Sequence, residues 1–299
     1  MLIALGGASS GVLAGCVSPV PLAIGGPSGS PSPAPATSAV PTPTPSPSVT
    51  SATPTPVATF RPLLTREEVV ARFSGRAPRE WDLHVTGTVN TVRAQATAQG
   101  LVALTFDACG GKGGNGYDAA LIATLRQLKV PATLMLNARW ITENLAIAQE
   151  LGADPLFEIQ SHGSRHLPLS VNGNKAYGST GTLDVGQVYD ELVEGNATIE
   201  SVSHAPVRFF RPGTAYCDDV AAAIALAVGL PVVDFSLNGD AGTTFTPKQI
   251  VQEVGAVKAG DIVISHMNHP EHGTAAGYAQ VLPHLLARGV KFAHLTQVG

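Results

Sequence analysis

The chain has 299 residues, with 18 Lys and Arg against 22 Asp and Glu, a net charge of −4, and three cysteines. The basic residues form no cluster, which excludes nucleic acid as a partner, because neutralising phosphates requires a basic stripe. Three cysteines in so long a chain exclude a disulfide-dense scaffold.

The first charged residue is Arg61. Residues 1–15 are small and apolar, too few to span a bilayer, which needs about 20 apolar residues. They end in Leu13-Ala14-Gly15-Cys16, which resembles a bacterial lipobox, where the Cys is lipidated and becomes the mature N-terminus. Residues 17–60 are dominated by Pro, Ser, Thr, Ala and Gly, including Pro41-Thr42-Pro43-Thr44-Pro45. Such a stretch has too little large apolar surface to offset ordering entropy, so it is expected to be extended and disordered. The expected organisation is a lipoprotein-type signal segment over residues 1–16, a linker over 17–60 and a catalytic domain over 61–299. An ordinary secreted protein with a Pro-rich linker is the alternative, and either layout exports the domain. Membrane contact is expected only through the lipid on Cys16, and the protein is expected to be a monomer.

A short helix over residues 65–72 opens the domain, with Thr65 as cap and Glu67 and Glu68 in its first turn. After Gly100, apolar runs alternate with amphipathic stretches. Residues 101–106, 132–137, 157–161, 207–210, 231–237, 261–265 and 291–295 read as buried strands. Residues 117–129, 139–151, 185–202, 218–228, 247–257 and 275–287 read as helices between them. This alternation predicts a parallel sheet, and its length predicts an α/β fold closed into a distorted (β/α) barrel of about seven strands.

Reactive side chains follow the strands. Asp107 comes after the first, His162 and His166 after the third, Arg211 after the fourth and His266 after the sixth. Barrel enzymes build their active sites at the C-terminal ends of strands. His162 and His166 stand four apart, and on a helical turn both would face one divalent metal; two unrelated surface histidines would read the same way. Asp107 is a poor cap for the following helix, because the Gly-rich loop 109–116 intervenes. Arg211 needs an anionic partner, for which Asp107 or Asp240 would serve. His266 is a natural general acid, although a single His at a strand end is more often structural.

Thr105-Phe106-Asp107, His162 through His166, Arg211-Pro212, Asp240 within Asn238-Gly239-Asp240, and Ile264-Ser265-His266 appear in this order. Together they resemble the polysaccharide deacetylases of carbohydrate esterase family 4, from about residue 102 to the C-terminus. The resemblance implies a hydrolase of carbon–nitrogen bonds other than peptide bonds, acting on an N-acetylated glycan. It implies a divalent metal, zinc, on His162 and His166, and Asp107 as the base that activates water. His266 would protonate the leaving amine, and Arg211 would orient Asp107, with Asp240 behind it. Backbone N–H groups within residues 214–216 would face the oxyanion. Family members commonly carry a second Asp after the base as third metal ligand, and this chain has Ala108 there. Asp107, Asp240 and His269 are the candidates to replace it, and a metal-free branch is the other option. The aromatic residue of the fourth motif is Ala241, so the acetyl pocket needs another lining. Cys109 and Cys217 both fall near the barrel mouth and are expected to form a disulfide. An O-acetyl esterase, another amide hydrolase on the same barrel, and a glycan-binding pseudoenzyme are the competing readings.

Overall fold

The computed structural model describes residues 59–299. The signal segment with Cys16 and the linker expected over residues 17–60, up to residue 58, lie outside the described residues. The strands are β1 (Trp81–Asp82), β2 (Leu101–Ala108), β3 (Ala132–Leu136), β4 (Phe157–Ser161), β5 (Lys175–Ala176), β6 (Ser179–Thr180), β7 (Cys217–Asp218), β8 (Leu237–Asn238), β9 (Ile262–His266) and β10 (Lys291–Phe292). The central sheet runs β4-β3-β2-β9-β8, all parallel, and β10 pairs with the start of β2.

Single parallel bridges close this sheet into a ring. Ser161 at the end of β4 bridges Phe210, and Phe210 bridges Val232, whose segment continues into β8 beside β9. The expected strands at 207–210 and 231–237 are therefore present as short bridging segments rather than full ladders. Val89 bridges Val233 and Thr91 bridges Asp261, so the chain ahead of β2 fills the gap between those walls. That contribution has no periodic signature in the sequence, because each bridge uses one residue.

Side-chain alternation sorts the core into two parts. Val102, Leu104, Phe106 and Ala108 of β2 face outward onto the helices within the larger apolar cluster. Ala103 of β2 points inward and packs with Met135, Val233, Ile262 and Ile264. Successive strand residues leave opposite faces of the sheet, so Thr105 and Asp107 follow Ala103 into the lumen. The lower lumen is thus apolar, and Leu295 and Val298 of the C-terminal helix Leu295–Val298 plug it. The polar residues collect at the upper end. Each fully buried Leu or Ile in these clusters contributes about 1.5–3 kcal/mol.

The helix predicted near residue 65 is Arg66–Phe73, with a capping box between Thr65 and Glu68. Two predicted helices are each split. Residues 139–151 divide into Ala138–Glu143 and Leu145–Ala153 at Asn144, whose side chain donates to the carbonyls of Asn115 and Trp140. Residues 185–202 divide into Val185–Val193 and Asn196–Ser203, with Gly195 between them packed on the carbonyl of Gly163. Both breaks bring the helical layer against loops at the barrel mouth. No helix among the described residues is long and apolar enough to cross a membrane.

Candidate active site

Asp107 stands at the top of β2, directly opposite His266 of β9 in the parallel register. Arg211 follows the bridging residue Phe210, and its guanidinium is fully buried. Its Nη1 donates to Asp107 Oδ1 at 2.8 Å and to Thr105 Oγ1 at 2.7 Å. Nη2 donates to the Asp234 carbonyl at 2.9 Å. A buried charge persists only when paired and hydrogen-bonded, and here each ion satisfies that need for the other. The arrangement occupies Oδ1 of Asp107 and leaves Oδ2 turned toward His162, 3.7 Å from its Nε2.

His162 Nδ1 lies 2.8 Å from the Arg211 carbonyl oxygen. A carbonyl can only accept, so Nδ1 carries the proton and Nε2 presents a lone pair to the cleft. Burial pulls the His162 pKa down, but Asp107 and Cys109 beside it outweigh that and raise it above the ordinary imidazole value. Asn137 Nδ2 holds the His162 carbonyl at 2.8 Å. The segment from His162 to His166 is a loop and not the helical turn expected from the spacing. Gly163 and His166 both take left-handed backbone (φ 81° and 61°), which folds the loop so that the two rings meet edge to face at 4.7 Å. Glu191 shapes this loop from beneath: its carboxylate is buried and accepts from the backbone N–H groups of Arg165 and Leu167 and from Ser164 Oγ. Glu191 lies on an amphipathic helix facing inward, which is the signal that reading the motifs alone passed over.

The expected disulfide is absent: Cys109 and Cys217 are both free. Cys217 is buried in the outer apolar core, and that environment pushes its thiol pKa up. Cys109 extends the inward alternation of β2 by one step and turns to the imidazoles, with Sγ 3.7 Å from His162 Nε2. The Gly-rich loop after it is pinned by Trp140 Nε1 on the Gly116 carbonyl and Asn268 Nδ2 on the Gly114 carbonyl. At Gly110 any Cβ would lie 2.7 Å from the Trp140 backbone nitrogen, so only glycine allows the close turn. Burial alone would raise the Cys109 pKa, but His166, His162 and His266 around it outweigh that and hold it well below the ordinary thiol value.

The ligand atoms of Cys109, His162 and His166 lie within 4.8 Å of one another. Donors around a tetrahedral ion, with metal–nitrogen distances of about 2.0–2.1 Å and metal–sulfur of about 2.3 Å, stand roughly 3.4–3.8 Å apart. Two imidazoles and a sulfur so placed fit a divalent metal. Asp240 and His269 do not join this group. Asp240 accepts from the His266 backbone N–H at 2.7 Å, His266 Nδ1 at 2.9 Å and Thr274 Oγ1 at 3.1 Å. It therefore sits behind His266 and not behind Arg211, the position expected from sequence. His269 pairs with Glu271 in the loop beyond β9, where His272 also approaches. Burial lowers the His266 pKa, but Asp240 outweighs it and raises it well above the ordinary value.

Asp107, Cys109, His162, His166 and His266 line a cleft of about 430 Å³ together with Leu83, Phe235 and Ile264, which supply an apolar wall near Ala241. Thr214 and Ala215 also line it, both with left-handed backbone (φ 67° and 62°). For a β-branched residue this conformation is strained, and such strain concentrates at functional sites. The Ala215 N–H is held by the Pro212 carbonyl, which leaves Thr214 and Tyr216 as the oxyanion donors to consider within residues 214–216. Tyr177, at the tip of the β5–β6 hairpin and 79 % exposed, stands edge-on to Tyr216, and Tyr216 contacts Trp81, each at 5.6 Å between ring centroids. This aromatic row at the mouth draws on three segments distant in sequence.

The family model described as polysaccharide deacetylase matches residues 94–233, a stretch that holds Asp107, His162, His166 and Arg211. Among solved structures, a carbohydrate esterase family 4 pseudoenzyme from Bacillus anthracis is 22% identical, with 71% of this chain and 68% of that chain covered at a TM-score of 0.58. A peptidoglycan N-acetylglucosamine deacetylase is 16% identical, with 71% and 92% covered at 0.57. A family 4 acetyl xylan esterase from Clostridium thermocellum, in complex with a cobalt ion, is 25% identical, with 66% and 89% covered at 0.53. No protein of curated function matches. The resemblance to the polysaccharide deacetylases therefore holds, together with the barrel fold and the coarse class of a deacetylase-type hydrolase.

Proposed function

We propose, on the premise that residues 94–233 match the polysaccharide deacetylases, that this protein removes N-acetyl groups from an amino-sugar polysaccharide such as peptidoglycan or a chitooligosaccharide. The supporting observation is Asp107, locked by Arg211 and standing in register with His266, beside two imidazoles on the third wall of one cleft. When bound at His162 and His166, a divalent metal, zinc in this reading, supplies Lewis acidity that polarises the acetyl carbonyl and lowers the pKa of water.

The chain's own residues supply the proton transfers. Arg211 holds Asp107 Oδ1, and Oδ2, turned to the cleft, accepts a proton from the attacking water. Thr214 and Tyr216 offer backbone N–H groups toward the oxyanion. Asp240 holds His266 Nδ1–H, so Nε2 faces the cleft and donates its proton to the departing nitrogen. The amide C–N bond breaks, water adds, and the products are acetate and a free amine. Leu83, Phe235 and Ile264 exclude water around the acetyl methyl. The lipobox-like Cys16 and the Pro-rich sequence after it support a bacterial cell-surface location in the same reading.

The acetyl xylan esterase among the structural neighbours keeps an O-acetyl ester substrate as the second reading. Acetate release decides between them. Purified protein should release acetate from chitooligosaccharides or peptidoglycan, lose this on chelation and lose it in His162→Ala. Release from acetylated xylan alone would move the assignment to the ester. No release from any of these glycans, even with added divalent ions, would sink the hydrolase and leave a glycan binder.

A further inference from the structure

We propose that Cys109 is the third protein ligand of the metal site, so that a His2Cys set formed with His162 and His166 takes a thiophilic divalent ion of the zinc kind. This rests on the metal-assisted reading above and names the group that replaces the missing aspartate.

Three observations carry it. First, the position after the base is Ala108, whose methyl faces the outer core and offers no ligand. Second, alternation along β2 returns the chain to the lumen at Cys109, and Sγ arrives 3.7 Å from His162 Nε2 within the cluster that includes His166. Third, the nearby carboxylates are engaged. Asp240 holds His266 and Thr274, and Asp107 Oδ1 is held by Arg211. The cluster of ligand atoms in the cleft contains Cys109, His162 and His166 and leaves Asp107 out. Asp107 thereby stays available as a base.

The chemistry of the set has consequences. A thiolate is a soft ligand, so Zn²⁺ and Co²⁺ are favoured over Mg²⁺ and Ca²⁺, which prefer oxygen donors. Three protein ligands leave further coordination open, as catalytic rather than structural zinc sites do.

The test uses the full chain, stripped of metal and titrated with Co²⁺. A near-ultraviolet thiolate-to-cobalt charge-transfer band is expected at one equivalent. The band should vanish in Cys109→Ala and persist in Cys16→Ala and Cys217→Ala. Cys109→Asp should bind cobalt without the band, which separates loss of the ligand from loss of the fold. Outer-shell changes at zinc sites weaken binding by about 10- to 100-fold, so removing Cys109 should weaken Zn²⁺ binding by more than about 100-fold. Absence of cobalt binding, no band in the parent protein, or a band that survives Cys109→Ala would each overturn the assignment. The readout needs no substrate. Acetate release without the band keeps the deacetylase and discards the thiolate ligand, whereas the band without acetate release does the reverse.

Discussion

Arg211 Nη1 reaches Asp107 Oδ1 at 2.8 Å, with both side chains withdrawn from solvent at the top of the barrel. The same guanidinium bonds Thr105 and the Asp234 carbonyl, so it ties β2, which carries the base, to the segment before β8. A Lys has one nitrogen and cannot satisfy these directions together. Arg211→Met should cost about 3–5 kcal/mol of stability, since it strands a buried carboxylate, and chemical denaturation measures this. Asp107→Asn keeps an oxygen acceptor for Nη1 but leaves the buried guanidinium without a counter-charge, so it too should lose stability, and it should lower the rate of acetate release by about 100- to 10,000-fold, the usual contribution of a general base.

Asp240 grips His266 twice, through the backbone N–H and through Nδ1. Asp240→Asn should therefore lower kcat with little change in KM, because the imidazole tautomer is no longer anchored. His266→Gln should lose more, about 100-fold or beyond, as the proton donor itself is removed. Steady-state kinetics on one chitooligosaccharide separates the two effects. Equal losses in both variants would show that Asp240 does more than hold the ring.

Asp234 supplies the expected pH dependence of stability. Burial pushes its pKa up to about 6, although His84 at 2.6 Å pulls it back. Between about 3.8 and 6 the folded chain keeps a proton that the unfolded chain has released. Stability should fall as pH rises through this window, by on the order of 2–3 kcal/mol, and level off above it. Denaturation midpoints across this range should show the slope in the parent protein and a flatter profile in Asp234→Asn.

The loop carrying His162 and His166 depends on Gly163 and Glu191. A Cβ at Gly163 would lie 2.4 Å from Glu191 Oε1, on backbone already in the left-handed region. Gly163→Ala should displace the loop, weaken Zn²⁺ binding and reduce acetate release together. Glu191→Gln removes the charge while keeping the shape, and it should cost about 1–3 kcal/mol by leaving buried N–H groups poorly paired. A Gly163→Ala protein with unchanged metal affinity would show that the loop adapts.

The aromatic row at the cleft mouth bears on chain length. Tyr177→Ala removes an exposed ring that stands edge-on to Tyr216. Aromatic contacts of this kind contribute about 0.5–1.5 kcal/mol. The expected result is a KM raised by roughly 3- to 10-fold for longer oligosaccharides and little changed for short ones. Equal effects on long and short substrates would remove the subsite.

Periodicity in the sequence determined the α/β alternation and the placing of Asp107, His162, Arg211 and His266 at strand ends. These follow from local chemistry, because buried strands are apolar runs. Tertiary structure alone decided who meets whom. Arg211 and Asp107 are 104 positions apart, and Cys109 and His162 are 53 apart. Register between β2 and its neighbours sets those encounters, and no short-range pattern encodes it. For the same reason the spacing of His162 and His166 suggested a helix, whereas Glu191 and two left-handed residues make it a loop. The shared location of Cys109 and Cys217 near strand ends suggested a disulfide. Side-chain direction sends Cys217 to the outer core and Cys109 to the imidazoles, and direction is a property of the folded backbone.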